Sequence, residues 1–308
     1  MSTLLIGLAP AAFAGDTMSE AGRAAEVIER ATGTQDLATG SQSGTGSAAQ
    51  AVIDAPGGGS VTVTAPKQST GRVEATSPDG ATLGLGLPAT NTVLGLKSEA
   101  GTVVYPDAAP AIDIAVQPTT DGASRTLVTL KSSAASTEQR FELDLPARTE
   151  AIDNGDGGYG LIRQPVGDEP TVVVGTIDAP WAKDAAGKEV PTKYKLDGRT
   201  LVQSIETNDD TAFPVVADPK VSFGWATYIK FSKAEVKKHA SKMKYAASGA
   251  ALCGFLSITG IGVACAAIAG GALAHLQGVW ASAKTYNKCV ELKFSYLGQY
   301  YGAKNYKC

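Results

Sequence analysis

The stretch IDIAVQP at residues 112–118, followed by RTLVTLKSS at 125–133, decides the fold class. Both runs are short, rich in β-branched residues and bounded by turn-forming residues, which is typical of β-strands. Six further runs of this kind are SVTVTAP (60–66), TLGLGLP (82–88), TVVYP (102–106), RFELDLP (140–146), PTVVVGTI (170–177) and FPVVADP (213–219). No helical period intervenes, so residues 52–219 predict an antiparallel sandwich or barrel, and we expect the sandwich.

Composition and charge divide the chain in two. Its 308 residues suffice for two domains, and its 35 glycines and 15 prolines exclude a mainly helical protein. Residues 221–308 contain 11 lysines, no arginine and two acids, which gives a net charge of +9. Because the whole chain carries −3, residues 1–220 carry −12. We therefore expect an acidic β-sandwich region followed by a cationic module.

The N-terminus predicts export. Residues 4–9 (LLIGLA) are apolar, and Ala12-Phe13-Ala14 has the small-x-small pattern of a signal-peptidase site, so we interpret residues 1–14 as a signal-peptide remnant. No cationic residue follows Met1, which leaves an apolar cytosolic N-terminus as the alternative. Residues 15–51 predict a short amphipathic helix at 18–31 and then a Ser/Gly-rich linker.

The four cysteines support a secreted or cell-envelope protein. All four lie in the cationic module, at Cys253, Cys265, Cys289 and Cys308, and their spacing lacks the close pairs of a zinc site. We expect disulfides, of which Cys253–Cys265 and Cys289–Cys308 are the most economical of three pairings.

Residues 220–308 predict a small disulfide-linked α+β module. VSFGWATYIKF at 221–231 alternates as a strand, and Ser232 with Glu235 forms a capping box for a lysine-rich helix. The uncharged, Gly/Ala-rich residues 245–283 indicate a helical hairpin, and the end of the chain indicates a β-hairpin around Leu297 and Gly298. The whole chain is thus expected to be a two-part α+β protein.

Two stretches resemble known proteins. TVVYPDAAPAIDIAVQPTTDGASRTLVTLKS, APW at 179–181 and FPVVADP place residues 95–219 close to an exported, β-rich segment that precedes Rhs-type and other polymorphic-toxin modules. GWATYIKFSKAEVKKHA, CVELKFSY and the closing Cys308 resemble the ends of small exported actinobacterial proteins of unassigned function. The resemblance implies export and a two-part layout. No Rhs repeats follow, so it implies no toxin reaction.

Motifs for catalysis are weak. The chain has only His239 and His275, 36 positions apart, and GLGLPA and GIGVAC lack the third glycine of a dinucleotide fingerprint. The glycine-rich DNGDGGYG at 153–160 has no EF-hand spacing and predicts a hairpin turn. We therefore expect a non-enzymatic protein with no cofactor, metal or catalytic residues.

The distribution of lysines and aromatic residues predicts anion binding. Lysine attracts lipid or polymer phosphates, and tryptophan suits a headgroup interface. The predicted membrane- or anion-binding residues are Lys230, Lys233, Lys237, Lys238, Lys242, Lys244, Lys284, Lys288, Trp225 and Trp280. The expected partner is an anionic lipid or cell-envelope polymer, with mutual masking between the acidic and cationic regions. Nucleic acid fits less well, because the module has no arginine.

The leading hypothesis is therefore a secreted, non-enzymatic effector of bacteriocin type. One alternative is an inert structural or adhesive envelope protein, whose lysines form only a solvated shell around a packed module. A hydrolytic toxin is the weaker alternative, since it requires a cleft that joins His239 or His275 to an acid.

Overall fold

Three helices and nineteen strands make up the part of the protein that the computed structural model describes, which is residues 11–40, 47–55, 58–164, 171–246, 270–295 and 299–308. The helices are α1 (Ala11–Thr32), α2 (Lys233–Tyr245) and α3 (Gly271–Thr285). The strands are β1 (Ser47–Asp54), β2 (Ser60–Pro66), β3 (Arg72–Thr76), β4 (Thr82–Gly86), β5 (Leu96–Lys97), β6 (Val103–Ala109), β7 (Ile112–Pro118), β8 (Ala123–Leu130), β9 (Glu138–Asp144), β10 (Thr149–Asp153), β11 (Tyr159–Arg163), β12 (Thr171–Ile177), β13 (Ala182–Lys183), β14 (Thr192–Asp197), β15 (Thr200–Ile205), β16 (Val215–Ala217), β17 (Lys220–Phe231), β18 (Cys289–Ser295) and β19 (Tyr300–Tyr306).

Two antiparallel sheets form the β-rich part. The first has seven strands in the order β1-β2-β3-β4-β9-β15-β14. The second has twelve strands, with β10-β11-β12-β17-β8-β7-β6-β5 as its main path and β13, β16, β18 and β19 joined to it. Residues of both sheets share one hydrophobic core, as in a sandwich. The predicted α+β fold class is confirmed.

The two sheets differ in how many of their faces are covered. In β9 the side chains alternate between buried and exposed, and Phe141 and Leu143 point into the core. In β7 every residue is buried, because α1 covers the opposite face of this sheet. Ile28 of α1 packs in one cluster with Val104 and Leu127. The predicted N-terminal helix is thus a third layer of the fold.

The N-terminal boundaries differ from the predicted ones. Helix α1 runs from Ala11 to Thr32 and so includes positions that the sequence assigned to a signal-peptide remnant. Strand β1 begins at Ser47, before the predicted start of the β-rich region at residue 52, because residues 49–54 pair with β2. The acidic, glycine-rich 153–160 segment is a hairpin turn between β10 and β11, as predicted, with Asp153 opposite Tyr159.

Strand β17 connects the sandwich to the C-terminal module. Along one side it pairs with β12, from Val221 opposite Ile177 to Lys230 opposite Thr171. On its other side, residues 220–222 pair with β8 and residues 226–231 pair with β18. The predicted 221–231 strand is confirmed, and the same strand belongs to the sheet of the sandwich and to the module.

The C-terminal module packs α2 and α3 against β17 and the β18–β19 hairpin. The predicted capping box is present: Glu235 N donates to Ser232 Oγ at 3.3 Å, and Ser232 N donates to Glu235 Oε2 at 2.8 Å. The helices are antiparallel, since Trp280 contacts Val236 while Gln277 reaches the carbonyls of Met243 and Ala246. Much of the predicted helical hairpin, residues 247–269, lies outside the described residues.

The second predicted disulfide is confirmed. Cys289 and Cys308 are bonded and close the ends of the antiparallel β18–β19 hairpin. The predicted Cys253–Cys265 pair lies outside the described residues.

Candidate anion-binding surface

The lysines of α2 lie on one solvent-exposed face of the helix. Its opposite face is defined by Val236 and Met243, which are both 1% exposed and pack into the core of the module. Lys237, Lys238, Lys242 and Lys244 are all exposed, and we call these four side chains the α2 lysine face. A 3.6-residue period places apolar and cationic side chains on opposite sides of the same helix.

Neighbouring acids do not neutralise this face. Glu235 is engaged in the capping box, and Glu291 forms an ion pair with Lys304 at 2.8 Å. These are the only acids after residue 220 in the sequence. Among the described residues, no ion pair joins the α2 lysine face to a carboxylate, whether of the module or of the sandwich. Among the described residues, therefore, no ion pair supports the expected masking of these lysines by the acidic region.

Exposed tyrosines accompany the lysines. Tyr245 ends α2 and is 76% exposed, and Tyr286 follows α3 and is 70% exposed. The Lys244 ammonium lies 5.4 Å from the ring centroid of Tyr245, within the range of a cation–π contact. Tyr245 was missed by the sequence reasoning, although its position directly after the last lysine of the helix was a usable signal. An amphipathic ring beside a cation suits an anionic interface.

Of the other four predicted lysines, two form hydrogen bonds within the module, one is half-buried and one is exposed. Lys233 Nζ donates to the carbonyl of Cys308 at 3.0 Å, and Lys288 Nζ donates to Asn305 Oδ1 at 3.3 Å. Lys230 is half-buried on β17, opposite Glu291 of β18. Lys284 is exposed near the end of α3. Of the ten predicted residues, the exposed lysines are therefore the four of α2 and Lys284 on the partner helix, while Lys293 and Lys307 elsewhere in the module are exposed as well.

Trp280 is a core residue, which corrects its predicted place at an interface. The residue is 1% exposed, its ring centroid lies 4.9 Å from that of Phe231, and its indole Nε1 donates to Val236 O at 2.9 Å. The helix period of α3 turns this residue toward α2 together with Leu276 and Ala283. The sequence could not show this, because α3 has too few charged residues to define which of its faces meets solvent.

Trp225 is half-buried on β17 and lies apart from the helix face. Its ring covers Gly122, where an added Cβ would approach Trp225 Cε3 to 2.4 Å and where φ is +73°, so glycine is required. Together with Asp121 and Tyr228 it lines a cavity of about 190 Å³. Tyr228 also lies beside Lys293, whose ammonium is 5.7 Å from the ring centroid.

The two histidines lie on different helices. His239 is half-buried on α2, and burial followed by the charges of Lys238 and Lys242 lowers its pKa below the usual 6.5. His275 is exposed on α3. The lowered pKa keeps the His239 imidazole neutral at pH 7, so it adds no charge to the helix. No cluster of three or more His, Cys, Asp or Glu suited to a metal ion occurs in the described ranges.

A buried carboxyl group, one of six aspartates among which the sequence alone selects no catalytic pair, lies just before β17. Asp218 is 1% exposed, and its Oδ1 accepts hydrogen bonds from Trp181 N at 2.9 Å and from Tyr194 Oη at 3.1 Å. Burial raises its pKa to about 7, although both hydrogen bonds act in the opposite direction. Burial, and then the Asp218 charge, also raises the pKa of Tyr194. We interpret Asp218 as a structural anchor at the junction with the module.

Comparison of the chain with protein-family models, with curated proteins and with solved structures finds no match in any of the three. The resemblance to toxin-associated segments therefore stays a prediction. Among the described residues, no helix combines the length and the apolar character needed to cross a membrane. The assignment of function rests on the chain's own residues.

Proposed function

We propose that this protein is a secreted, non-enzymatic effector of bacteriocin type, whose cationic C-terminal module binds phosphate-bearing surfaces of bacterial envelopes. The observation that carries the proposal is the α2 lysine face, four exposed ammonium groups to which no described acid is paired. The shared chemistry of the ligand is a repeated phosphate, in a lipid headgroup or an envelope polymer.

Lysine without arginine favours a diffuse anionic surface over a single specific anion. An ammonium group is a strongly hydrated point charge on a flexible stem, whereas arginine provides the planar fork for bidentate recognition. The module has 11 lysines and no arginine from residue 221 onward. Each lysine near an anionic membrane contributes about 1 kcal/mol, so four act together as a useful attachment site.

The packing of α2 against α3 is consistent with a module that binds a surface while it stays folded. The apolar sides of α2 and α3 face each other, with Val236, Met243, Leu276 and Trp280 buried. The lysines and the two exposed tyrosines are thus available without unfolding the module. The Cys289–Cys308 bond supports the expectation of an oxidising compartment.

The test compares the full-length oxidised protein with a variant that removes the α2 lysine face, Lys237→Gln with Lys238→Gln, Lys242→Gln and Lys244→Gln. Cosedimentation with vesicles of phosphatidylglycerol and phosphatidylcholine measures the partition coefficient. We expect the variant to bind more weakly by a factor approaching a thousand, because four lysines contribute about 4 kcal/mol before salt screening. Purified teichoic acid replaces the vesicles in a second arm.

The matched control changes four lysines of the acidic region, Lys183→Gln with Lys188→Gln, Lys193→Gln and Lys195→Gln. It alters the net charge equally and lies in the sandwich. We expect it to bind like the wild type. Equal weakening in both variants would attribute binding to overall charge and remove the role of α2. No binding to vesicles or polymer by the wild type would contradict the proposal and favour the structural or adhesive alternative.

A further inference from the structure

The cavity that Trp225 and Tyr228 line, which we call the β17 cavity, lies where β17 separates from β12. The two strands pair on either side of this point, with Phe223 opposite Gly175 and Tyr228 opposite Val173. Between these pairs β17 contains four residues and β12 contains one, so the ladder opens into a large bulge. Bulges re-aim side chains and are over-represented next to active sites. The opening is therefore a candidate site for a ligand.

Two glycines fix the position of the Trp225 ring. Gly224 has a φ of +76°, and a Cβ there would approach Ser77 Cβ to 2.6 Å, so glycine lets the bulge lie against the turn after β3. At Gly122 the six-membered ring of the indole occupies the space of the missing Cβ. The ring is thus held in place before a ligand binds, which reduces the entropy that binding costs.

The β17 cavity combines aromatic walls with polar groups that the protein leaves free. Trp225 and Tyr228 provide the rings, and Ser222 and Asp121 provide a hydroxyl and a carboxylate. Within the part of the chain that the structure describes, no hydrogen bond involves Trp225 Nε1, Tyr228 Oη or Ser222 Oγ. A ligand that presents both C–H groups and hydroxyl groups would contact the rings and satisfy these polar atoms together.

The Asp121 carboxylate is held in place and keeps capacity for one more donor. Its Oδ1 accepts from Thr119 Oγ1 and from Ala123 N, and its Oδ2 accepts from Lys220 Nζ at 2.8 Å. Burial acts in the opposite direction, but the hydrogen bonds from Lys220 and Thr119 lower the pKa of Asp121, so the group is ionised at neutral pH. A carboxylate has about four acceptor positions, which leaves one on Oδ2 for a ligand hydroxyl.

The charges around the β17 cavity disfavour a cationic ligand. Aromatic rings beside a carboxylate also form cages for quaternary ammonium groups. Here Lys220 forms an ion pair with Asp121, and the Lys293 ammonium lies 5.7 Å from the ring centroid of Tyr228, so both would repel a cation. The volume of about 190 Å³ is below the ~300–1,000 Å³ of pockets for drug-sized ligands, which limits the ligand to a single ring.

We propose that the β17 cavity binds one neutral pyranose ring of a sugar. The C–H groups of the ring contact Trp225, one hydroxyl donates to Asp121 Oδ2, and others bond to Trp225 Nε1 and Ser222 Oγ. This site is separate from the α2 lysine face and does not depend on the proposed envelope binding, because a neutral sugar offers no phosphate to the lysines.

The test applies saturation-transfer difference NMR to the full-length oxidised protein with the methyl glycosides of glucose, galactose, mannose, N-acetylglucosamine and N-acetylgalactosamine. We expect saturable binding of at least one of them, with the strongest transfer to the C–H groups of one ring face. The free reducing sugars form a second arm, in which a preference for glycoside or free sugar distinguishes a glycan end from a monosaccharide. Absence of saturable binding by all of these sugars, or tighter binding of choline, would overturn the proposal.

Protein variants locate the site. We expect Trp225→Ala to weaken sugar binding at least tenfold, while Tyr286→Ala, which removes an exposed ring outside the cavity, binds like the wild type. Ser222→Val narrows the cavity, keeps the ring and should also weaken binding at least tenfold, so it decides the case if Trp225→Ala does not fold. The variant that lacks the α2 lysine face should bind the sugar normally. Wild-type affinity in Ser222→Val and in folded Trp225→Ala would contradict the proposal.

Discussion

At the scale of single residues, Asp218 and Trp280 show how burial decides a side chain's role. Asp218 precedes β17 and is 1% exposed, with hydrogen bonds from Trp181 and Tyr194. Burial disfavours its charged form and raises its pKa to about 7. Trp280 is equally buried and joins α3 to the backbone of α2. Asp218 ties the segment before β17 to the sandwich, and Trp280 ties the two helices of the module together.

The raised pKa of Asp218 predicts a pH dependence of stability. Between about pH 4 and 7 the folded state retains a proton that the unfolded state loses, so the free energy of unfolding falls as pH rises through this window. A pKa raised from 3.8 to about 7 corresponds to a loss of up to about 4 kcal/mol. Urea unfolding at several pH values should show this loss in the wild type and a smaller one in Asp218→Asn. Identical slopes in both proteins would contradict the interpretation.

Replacement of Trp280 tests its assignment to the core. Trp280→Ala should lower the free energy of unfolding by about 3–5 kcal/mol, since it removes a fully buried ring and its hydrogen bond to Val236. Chemical denaturation followed by circular dichroism measures this loss. Vesicle binding by the folded protein should be unchanged. A variant of normal stability that binds vesicles more weakly would return Trp280 to the interface.

At the scale of secondary-structure elements, local patterns were predictable and long-range pairings were not. The strand at 221–231, the Ser232–Glu235 capping box and the terminal β-hairpin follow from side-chain period and capping chemistry, and the structure contains all three. Strands β8 and β18 pair with the same edge of β17, although they lie far apart in the sequence. Likewise, the turn of β4 away from β9 follows from tertiary contacts that no local pattern specifies.

The sequence contained a signal that α1 would cover the second sheet, and the sequence analysis did not use it. Strand β7 has apolar residues at adjacent positions, Ile114, Ala115 and Val116, and all three are fully buried. A run without alternation indicates a strand buried on both faces, which required another layer above the sheet. The amphipathic helix predicted at residues 18–31 was the element available to form that layer.

The Cys289–Cys308 disulfide closes the β18–β19 hairpin and is expected to stabilise it. Cys289 and Cys308 are separated by 19 positions, and closing a loop of this size stabilises a fold by about 3 kcal/mol in the chain-entropy treatment. Cys289→Ala with Cys308→Ala should therefore lower the free energy of unfolding by about this amount, measured by urea denaturation of the oxidised proteins. Unchanged stability would show that hairpin and helix packing suffice.

At the scale of the whole molecule, the two oppositely charged regions are joined through one continuous sheet, which both share at β17. Residues 221–308 carry +9 and the preceding residues carry −12. Because β17 pairs with β12 and β8 as well as β18, a fragment beginning near residue 220 would lose strand partners, and experiments require the full chain. The charge division was readable in the sequence. That four of the lysines are exposed on one face of α2, without an ion pair to a described acid, required the structure.

The most direct test of the central claim is the salt dependence of binding by the wild-type protein to anionic and to neutral vesicles of equal size. The account predicts strong binding to anionic vesicles at low ionic strength, a steep decline as NaCl is raised, and little binding to neutral vesicles, because exposed lysines act through screened charges. Equal binding to both kinds of vesicle, or binding that salt leaves unchanged, would contradict it.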